Sequence, residues 1–339
     1  MNAIEPLDAR RRLRQDFARR CGLAAWQECL LAGDASFRKY WRWSDGDRSL
    51  VVMDAPPPQE NVRPFVRIAR HLSALGLSAP ALHAEDAEHG FLLLEDFGDD
   101  TYARALADRA GVGIALFARA ADVLAHLHAA GDRALLPDLP LFLGERMAEI
   151  AAALVDWHLP LAMGRQPSAK ERADYVAALR AVLVRLDPLP RTLVLRDYHA
   201  ENLMWLAQRS GLAACGLLDF QDAETGVAAF DLVSLVEDAR RDIPDELREH
   251  TLRHYRAQLT PAERDGFDVS LAVCSAMRHS RVIGIFSRLK LRDGKSQYLQ
   301  HLPRIWRLFD RALAHSELAP LRRCVDDYFP PDRRILPIE

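Results

Sequence analysis

Leu195-Arg196-Asp197-Tyr198-His199-Ala200-Glu201-Asn202, followed by Leu217-Leu218-Asp219-Phe220, sets the chemistry of this chain and, through it, the fold. An Asp, four residues and an Asn, then an Asp-Phe closing an apolar run, is the arrangement that phosphoryl transfer from ATP requires. Asp197 is placed to orient a hydroxyl and accept its proton. Asn202 and Asp219 offer hard oxygen ligands to a magnesium ion (Mg2+) that bridges nucleotide phosphates. A bare Asp-x4-Asn also falls by chance in many loops, so the flanks matter. Residues 192–195 read as a short buried strand leading in, and 204–206 as one leading out. Gln208-Arg209-Ser210-Gly211 is a turn signal, and 214–218 is an apolar run returning to Asp219. A hairpin of that length brings Asn202 and Asp219 together at its open end.

Working outward, 7–21 fits a helix. A strand over 37–43 alternates Phe37, Lys39, Trp41 and Trp43 against Arg38, Tyr40 and Arg42. Ser44-Asp45-Gly46-Asp47 turns the chain into a returning strand over 49–53. The prolines at 56–58 precede a helix over 61–75 that Gly76 ends. Strands over 81–85 and 91–95 complete a small antiparallel sheet of five-stranded type. Beyond Asp96-Phe97-Gly98 the apolar period becomes helical. Helices are expected from about 112 to a stop at Gly131, and over 142–158, 168–186, 231–240, 245–258, 268–291 and 298–315. Asp231 reads as the N-cap of its helix and as a group able to brace the loop before it. The fold class is therefore α+β, with a sheet lobe over 1–97 binding nucleotide and a larger, mostly helical lobe over 98–339 for catalysis and substrate.

Bulk properties narrow the partners. The 339 residues carry 45 basic and 48 acidic side chains, a net charge of −3 that argues against nucleic acid. The cluster Arg10-Arg11-Arg12-Leu13-Arg14 is a local exception and reads as a solvated helix face. Five scattered cysteines without a C-x-x-C pair fit free thiols. No apolar signal core or membrane-length run is present, which predicts a cytoplasmic protein without membrane attachment; a monomer is favoured.

The catalytic segment resembles the aminoglycoside phosphotransferase family, relatives of protein kinases. The likeness extends upstream to Ala32-Gly33-Asp34-Ala35-Ser36-Phe37-Arg38-Lys39-Tyr40 and downstream to Asp222-Ala223-Glu224-Thr225-Gly226 with Phe230-Asp231-Leu232. With Met53-Asp54-Ala55-Pro56-Pro57 and Gly284-Ile285-Phe286-Ser287-Arg288-Leu289, the wording is similar to bacterial anomeric sugar kinases. Those enzymes phosphorylate N-acetylmuramate and N-acetylglucosamine at carbon 1 during peptidoglycan recycling. The resemblance implies a bilobal protein-kinase-like fold, ATP as co-substrate and an amino sugar as acceptor.

It also implies site residues. Gly33, Ala35 and Ser36 would let backbone N–H groups approach the phosphates, and the backbone at Glu95 and Phe97 would meet adenine. The chain departs from its relatives on the strand that should hold a phosphate-gripping lysine, where the register places Met53 or Asp54. Arg38, Lys39 or Arg42 would supply the missing charge, and Arg38 is the choice here. On the acceptor side Arg196, His199, Asp222, Arg278 and Arg281 are candidates. The basic face Arg278–Arg288 either meets the lactate carboxylate of N-acetylmuramate or is a paired, solvated helix face. Kinases of other small hydroxyl compounds such as aminoglycosides or choline, a protein kinase, and a non-catalytic ATP-binding scaffold are the alternatives. The intact Asp197, Asn202 and Asp219 oppose the last.

Overall fold

The computed structural model describes residues 6–33 and 37–334, and contacts gather the chain into two compact units. The first joins Met1–Arg109 with Glu201–Asp222, the second Ala110–Ala200 with Ala223–Glu339. In the first, helix α1 (Pro6–Arg20) precedes strands β1 (Gln27–Gly33), β2 (Lys39–Ser44) and β3 (Ser49–Asp54). Helix α2 (Arg63–Ala74), strands β4 (Leu82–Asp86) and β5 (Phe91–Glu95) and helix α3 (Tyr102–Asp108) follow. The sheet is antiparallel in the order β1-β2-β3-β5-β4. The antiparallel sheet followed by a helix-rich remainder is the α+β class that the pattern predicts. Strand β1 and helix α3 had no clear periodic signal. β1 is an edge strand whose Leu30 and Leu31 lie exposed, so no buried face marks it.

Register assigns each strand residue a face, because side chains alternate along a strand. Trp41 pairs with Val52, Val52 with Leu93, and Asp54 with Phe91. This face lies under α1, where Phe17 stacks on Phe91 at 5.5 Å. Arg10 and Arg14 both reach the buried carboxylate of Asp54, and the Arg14 guanidinium lies 3.6 Å over Trp41. Two arginines of the N-terminal cluster are thus committed to a buried acid and are not a solvated face. Unpaired burial of Asp54 would be expensive, so the cluster is structural. The opposite face carries Tyr40, Arg42, Val51, Met53, Leu92 and Leu94.

Four short strands occupy 192–226: β6 (Thr192–Val194), β7 (Leu203–Trp205), β8 (Cys215–Leu217) and β9 (Glu224–Gly226). β7 pairs with β8 and β6 with β9. The second unit is built from helices α4 (Gly113–Ala129), α5 (Gly144–Ala151), α6 (Leu159–Met163), α7 (Ala169–Leu183) and α8 (Ala229–Val236). It continues with α9 (Asp245–Ala257), α10 (Pro261–Arg264), α11 (Phe267–Asp293), α12 (Leu302–Leu313) and α13 (Ala319–Tyr328). The helix expected over 142–158 is broken, with α5 ending at Ala151 and a π-turn at Leu154–His158. Helix α13, with a proline in its first turn, was not anticipated.

Helix α11 is the axis of this unit, buried from Val273 to Ser280. Two of its serines are satisfied from neighbours: Ser280 Oγ donates to Ala151 O at 2.6 Å, and Ser287 Oγ meets His158 Nδ1 at 2.9 Å. A Cβ on Gly284 would sit 2.2 Å from the carbonyl carbon of Ala153, so only glycine allows the backbones this close. Enclosure by neighbouring helices buries apolar and polar side chains of α11 alike, Arg278, His279 and Ser280 included. Among the described residues no helix is long and apolar enough to cross a membrane, and the five cysteines are free thiols.

Candidate active site

The first unit contains a cleft of about 440 Å3 whose walls include Tyr40, Val51, Leu94, Phe97, Asn202 and Asp219. Tyr40, Val51 and Leu94 come from the sheet face opposite α1. The floor is therefore apolar strand surface with polar groups at the rim, the usual make-up of a ligand pocket. Met53 lies on this face and is 1% exposed, whereas Asp54 points to α1 and its arginines. Of the two positions, Met53 is thus the one on the face that lines the cleft.

Residues 95–99 form the cleft edge. Arg42 clamps Asp96 through Nη2 at 2.9 Å and reaches Asp99 at 3.0 Å, while Asp96 Oδ1 accepts the Gly98 N–H at 2.9 Å. Burial pushes the Asp96 carboxyl up, but Arg42 and the Gly98 N–H outweigh it and hold it below the ordinary value. Arg42 is consequently spent on the connection. The Glu95 N–H donates to Ala81 O at 2.8 Å, and its carboxylate pairs with Arg209. A Cβ at Gly216 would come within 2.9 Å of the Phe97 ring, so glycine in β8 lets that aromatic lie against the hairpin.

The β7–β8 hairpin places Leu203 opposite Leu217, and Leu218 N–H donates to Asn202 O at 3.0 Å. Asn202 and Asp219 therefore meet at its open end, with Asn202 Nδ2 3.4 Å from Asp219 Oδ2. Gln221 Nε2 donates to Asp219 Oδ1 at 2.8 Å. Arg38 extends Nη2 to 3.7 Å from the same carboxylate and Nε to 3.7 Å from Glu60. Asp219 holds φ +56°, a left-handed turn conformation that Asp adopts more readily than most non-glycine residues. Among the described residues no group of three or more His, Cys, Asp or Glu forms a metal cluster. The Asn–Asp pair instead matches the sparse set that suits magnesium completed by phosphates and water. Sequence reading missed Gln221, which had no motif to flag it. Ala35 and Ser36 lie outside the described residues; Gly33 ends β1, opposite Lys39.

In the second unit β6 delivers the chain into the Asp197 loop. Asp231 is not an N-cap: α8 begins at Ala229 after Ala228. From the third helical position its carboxylate accepts Leu195 N–H at 2.6 Å and Arg196 N–H at 2.8 Å. Ser234 Oγ donates to Arg196 O at 3.3 Å, and Tyr198 OH to Ala120 O at 2.9 Å. Arg196 sits at φ +71°. Burial raises the Asp231 carboxyl to about 7 against the two backbone donors. His199 is 8% exposed, and burial pushes its imidazole down to about 4. A neutral ring in the middle of the loop suits a structural role better than a charged one.

Four arginines gather about this loop. Arg196 pairs with Glu224 at 3.4 Å and lies 4.9 Å over Phe142. Arg278 is 4% exposed. Burial lowers Arg281 to about 10; Asp197 holds it up, while Arg196, Arg278 and Arg288 push it down. Asp197, Arg196, His199, Arg278 and Arg281 therefore share one electrostatic neighbourhood. Asp222 belongs to the other unit, exposed beside Gln221. Glu224, which anchors Arg196, was not singled out from sequence.

Residues 28–267 match the phosphotransferase enzyme family. The chain belongs to that family. This phosphotransferase is 36% identical over 297 residues to an N-acetylmuramate/N-acetylglucosamine kinase of Pseudomonas aeruginosa, covering 86% of this chain and 85% of the relative. It is 35% identical to the protein of the same name in Caulobacter vibrioides, covering 90% and 92%. A solved streptomycin–ATP–APH(2″)-IIa ternary complex superposes with a TM-score of 0.55 at 15% identity, over 88% of the phosphotransferase and 97% of that chain. At this identity the likeness speaks for the fold alone.

Proposed function

We propose that the chain transfers the γ-phosphoryl group of ATP to the anomeric hydroxyl of N-acetylmuramate or N-acetylglucosamine, giving the sugar 1-phosphate and ADP. The observation that carries the reading is the similarity, over most of both chains, to proteins named for that pair of sugars. The sugar oxygen forms a bond to the γ-phosphorus as the bond to the β,γ-bridging oxygen breaks. The hydroxyl proton passes to Asp197, whose loop is held by Asp231. Positioning and charge stabilisation carry most of such a reaction.

Asn202 and Asp219 are the residues to hold magnesium, which when bound neutralises charge on the β- and γ-phosphates. Gln221 and Arg38 steer the Asp219 carboxylate. Arg38 takes the phosphate-gripping role that Met53 cannot fill, since Arg42 is committed to Asp96 and Lys39 stands on the α1 face of β2. Gly33, at the end of β1, lets backbone approach the phosphates, and the Glu95 carbonyl with the Phe97 N–H meets the adenine edge. The product would re-enter cell-wall synthesis from recycled peptidoglycan.

Purified protein with ATP, magnesium and each free sugar, followed by phosphorus-31 NMR, should yield a 1-phosphate. The methyl glycoside, with carbon 1 blocked, should not react. Phosphorylation of the methyl glycoside as fast as the free sugar moves the target to another hydroxyl. Failure with both sugars but turnover of choline or an aminoglycoside removes the amino-sugar reading.

A further inference from the structure

Arg278, Arg281 and Arg288 recur at spacings that return to one side of α11. Among the described residues, the buried Nε atoms of Arg278, Arg288 and Arg196 have no hydrogen-bond partner. Asp293 faces Arg288, and most of the other acids around the stripe are already committed. Glu224 is shared between Arg196 and Arg146. Asp231 is occupied by two backbone N–H groups, and burial raises its carboxyl to about 7. Asp197 and Asp238 remain as the counter-charges to Arg278. Withdrawing guanidinium groups from water without full partners is costly, and a fold that does so beside its reactive loop has prepared a place for an anion. The planar fork of a guanidinium matches a carboxylate in two parallel hydrogen bonds.

We infer that Arg278, Arg281 and Arg288 form a subsite for the carboxylate of the acceptor, the lactyl group that distinguishes N-acetylmuramate from N-acetylglucosamine. The inference rests on the sugar-kinase reading and adds a preference to it: the neutral sugar leaves the arginine stripe unsatisfied, the acidic one fills it. A free amino group or a polycationic acceptor is repelled by the same stripe.

The test compares N-acetylmuramate with its primary amide, which keeps shape and loses charge, in the wild-type protein and in Arg281→Gln. Arg281 is less buried than Arg278. In the wild type kcat/KM should favour the acid roughly tenfold to a hundredfold, the range for hydrogen bonds to a charged group. In Arg281→Gln that ratio should shrink to within about threefold, with KM for ATP nearly constant. Equal use of acid and amide by the wild type overturns the subsite, a result that does not depend on any variant folding. So does an Arg281→Gln protein whose KM for ATP rises while acid and amide decline in parallel, because the arginines then serve the nucleotide. If the wild type phosphorylates neither N-acetylmuramate nor N-acetylglucosamine, the sugar-kinase reading itself falls and the subsite with it.

Discussion

The open end of the β7–β8 hairpin and the loop after β6 carry the proposed chemistry by opposite means. At the hairpin, Asp219 keeps 30% of its side-chain surface exposed, and its neighbours are side chains: Asn202, Gln221 and Arg38 at 2.8 to 3.7 Å. Such contacts can be exchanged when a cation and phosphates arrive. Around Asp197 the restraints run through the backbone, with Leu195 and Arg196 bound to a fully buried Asp231 and Tyr198 tied to α4. A metal site has to reorganise on binding, whereas a proton acceptor has to hold still. Buried backbone hydrogen bonds supply the second property because leaving them unmade costs about 1–3 kcal/mol each.

That contrast can be broken experimentally. Asp219→Ala should give the largest effect, loss of magnesium-dependent ATP binding by calorimetry together with turnover; unchanged Mg-ATP affinity would dismiss it as a ligand. Asp197→Asn should keep nucleotide affinity and melting temperature while kcat falls roughly 10²- to 10⁴-fold, the range for a lost general base. Most activity surviving would assign the proton to another group.

Asp231→Asn tests the backbone clamp. The amide can present only one acceptor, so one of the Leu195 and Arg196 N–H groups loses its partner, and stability should fall by about 1–3 kcal/mol with a drop in kcat. A lower melting temperature with normal kcat would mean that the loop does not need the clamp. Smaller still, Arg38→Ala should raise KM for ATP more than Lys39→Ala, since Arg38 reaches Asp219 whereas Lys39 stands on the α1 face of β2. Matching effects would return the phosphate role to an unassigned cation.

The buried unit should also be the acid-sensitive one. His158 and His199 are both pushed down to about 4 by burial. Their folded values lie below the unfolded 6.5, so the stability they allow is present above pH 6.5 and is lost as pH falls toward 4. Asp231, raised to about 7 by burial, works the other way: its contribution is present below about pH 4 and lost as pH rises through 7. The melting temperature should decline from pH 6.5 to 4, and Asp231→Asn should steepen the decline. A flat profile in both proteins would show that these groups do not titrate with folding.

Sequence alone was enough for the sheet alternation, the long helices and the hairpin, because each rests on local periodicity and turn chemistry that neighbours only reinforce. Asn202 beside Asp219 was legible for the same reason, being the consequence of a short hairpin. What only tertiary structure decided were the pairings between residues distant in the chain. Arg10 and Arg14 were spent on Asp54, Arg42 on Asp96, and Asp231 on the Asp197 loop. The glycine at 284 answered to Ala153 across the interior. A side chain's type announces that a charge or a small volume is present; which partner removes its desolvation cost depends on what folding packs against it.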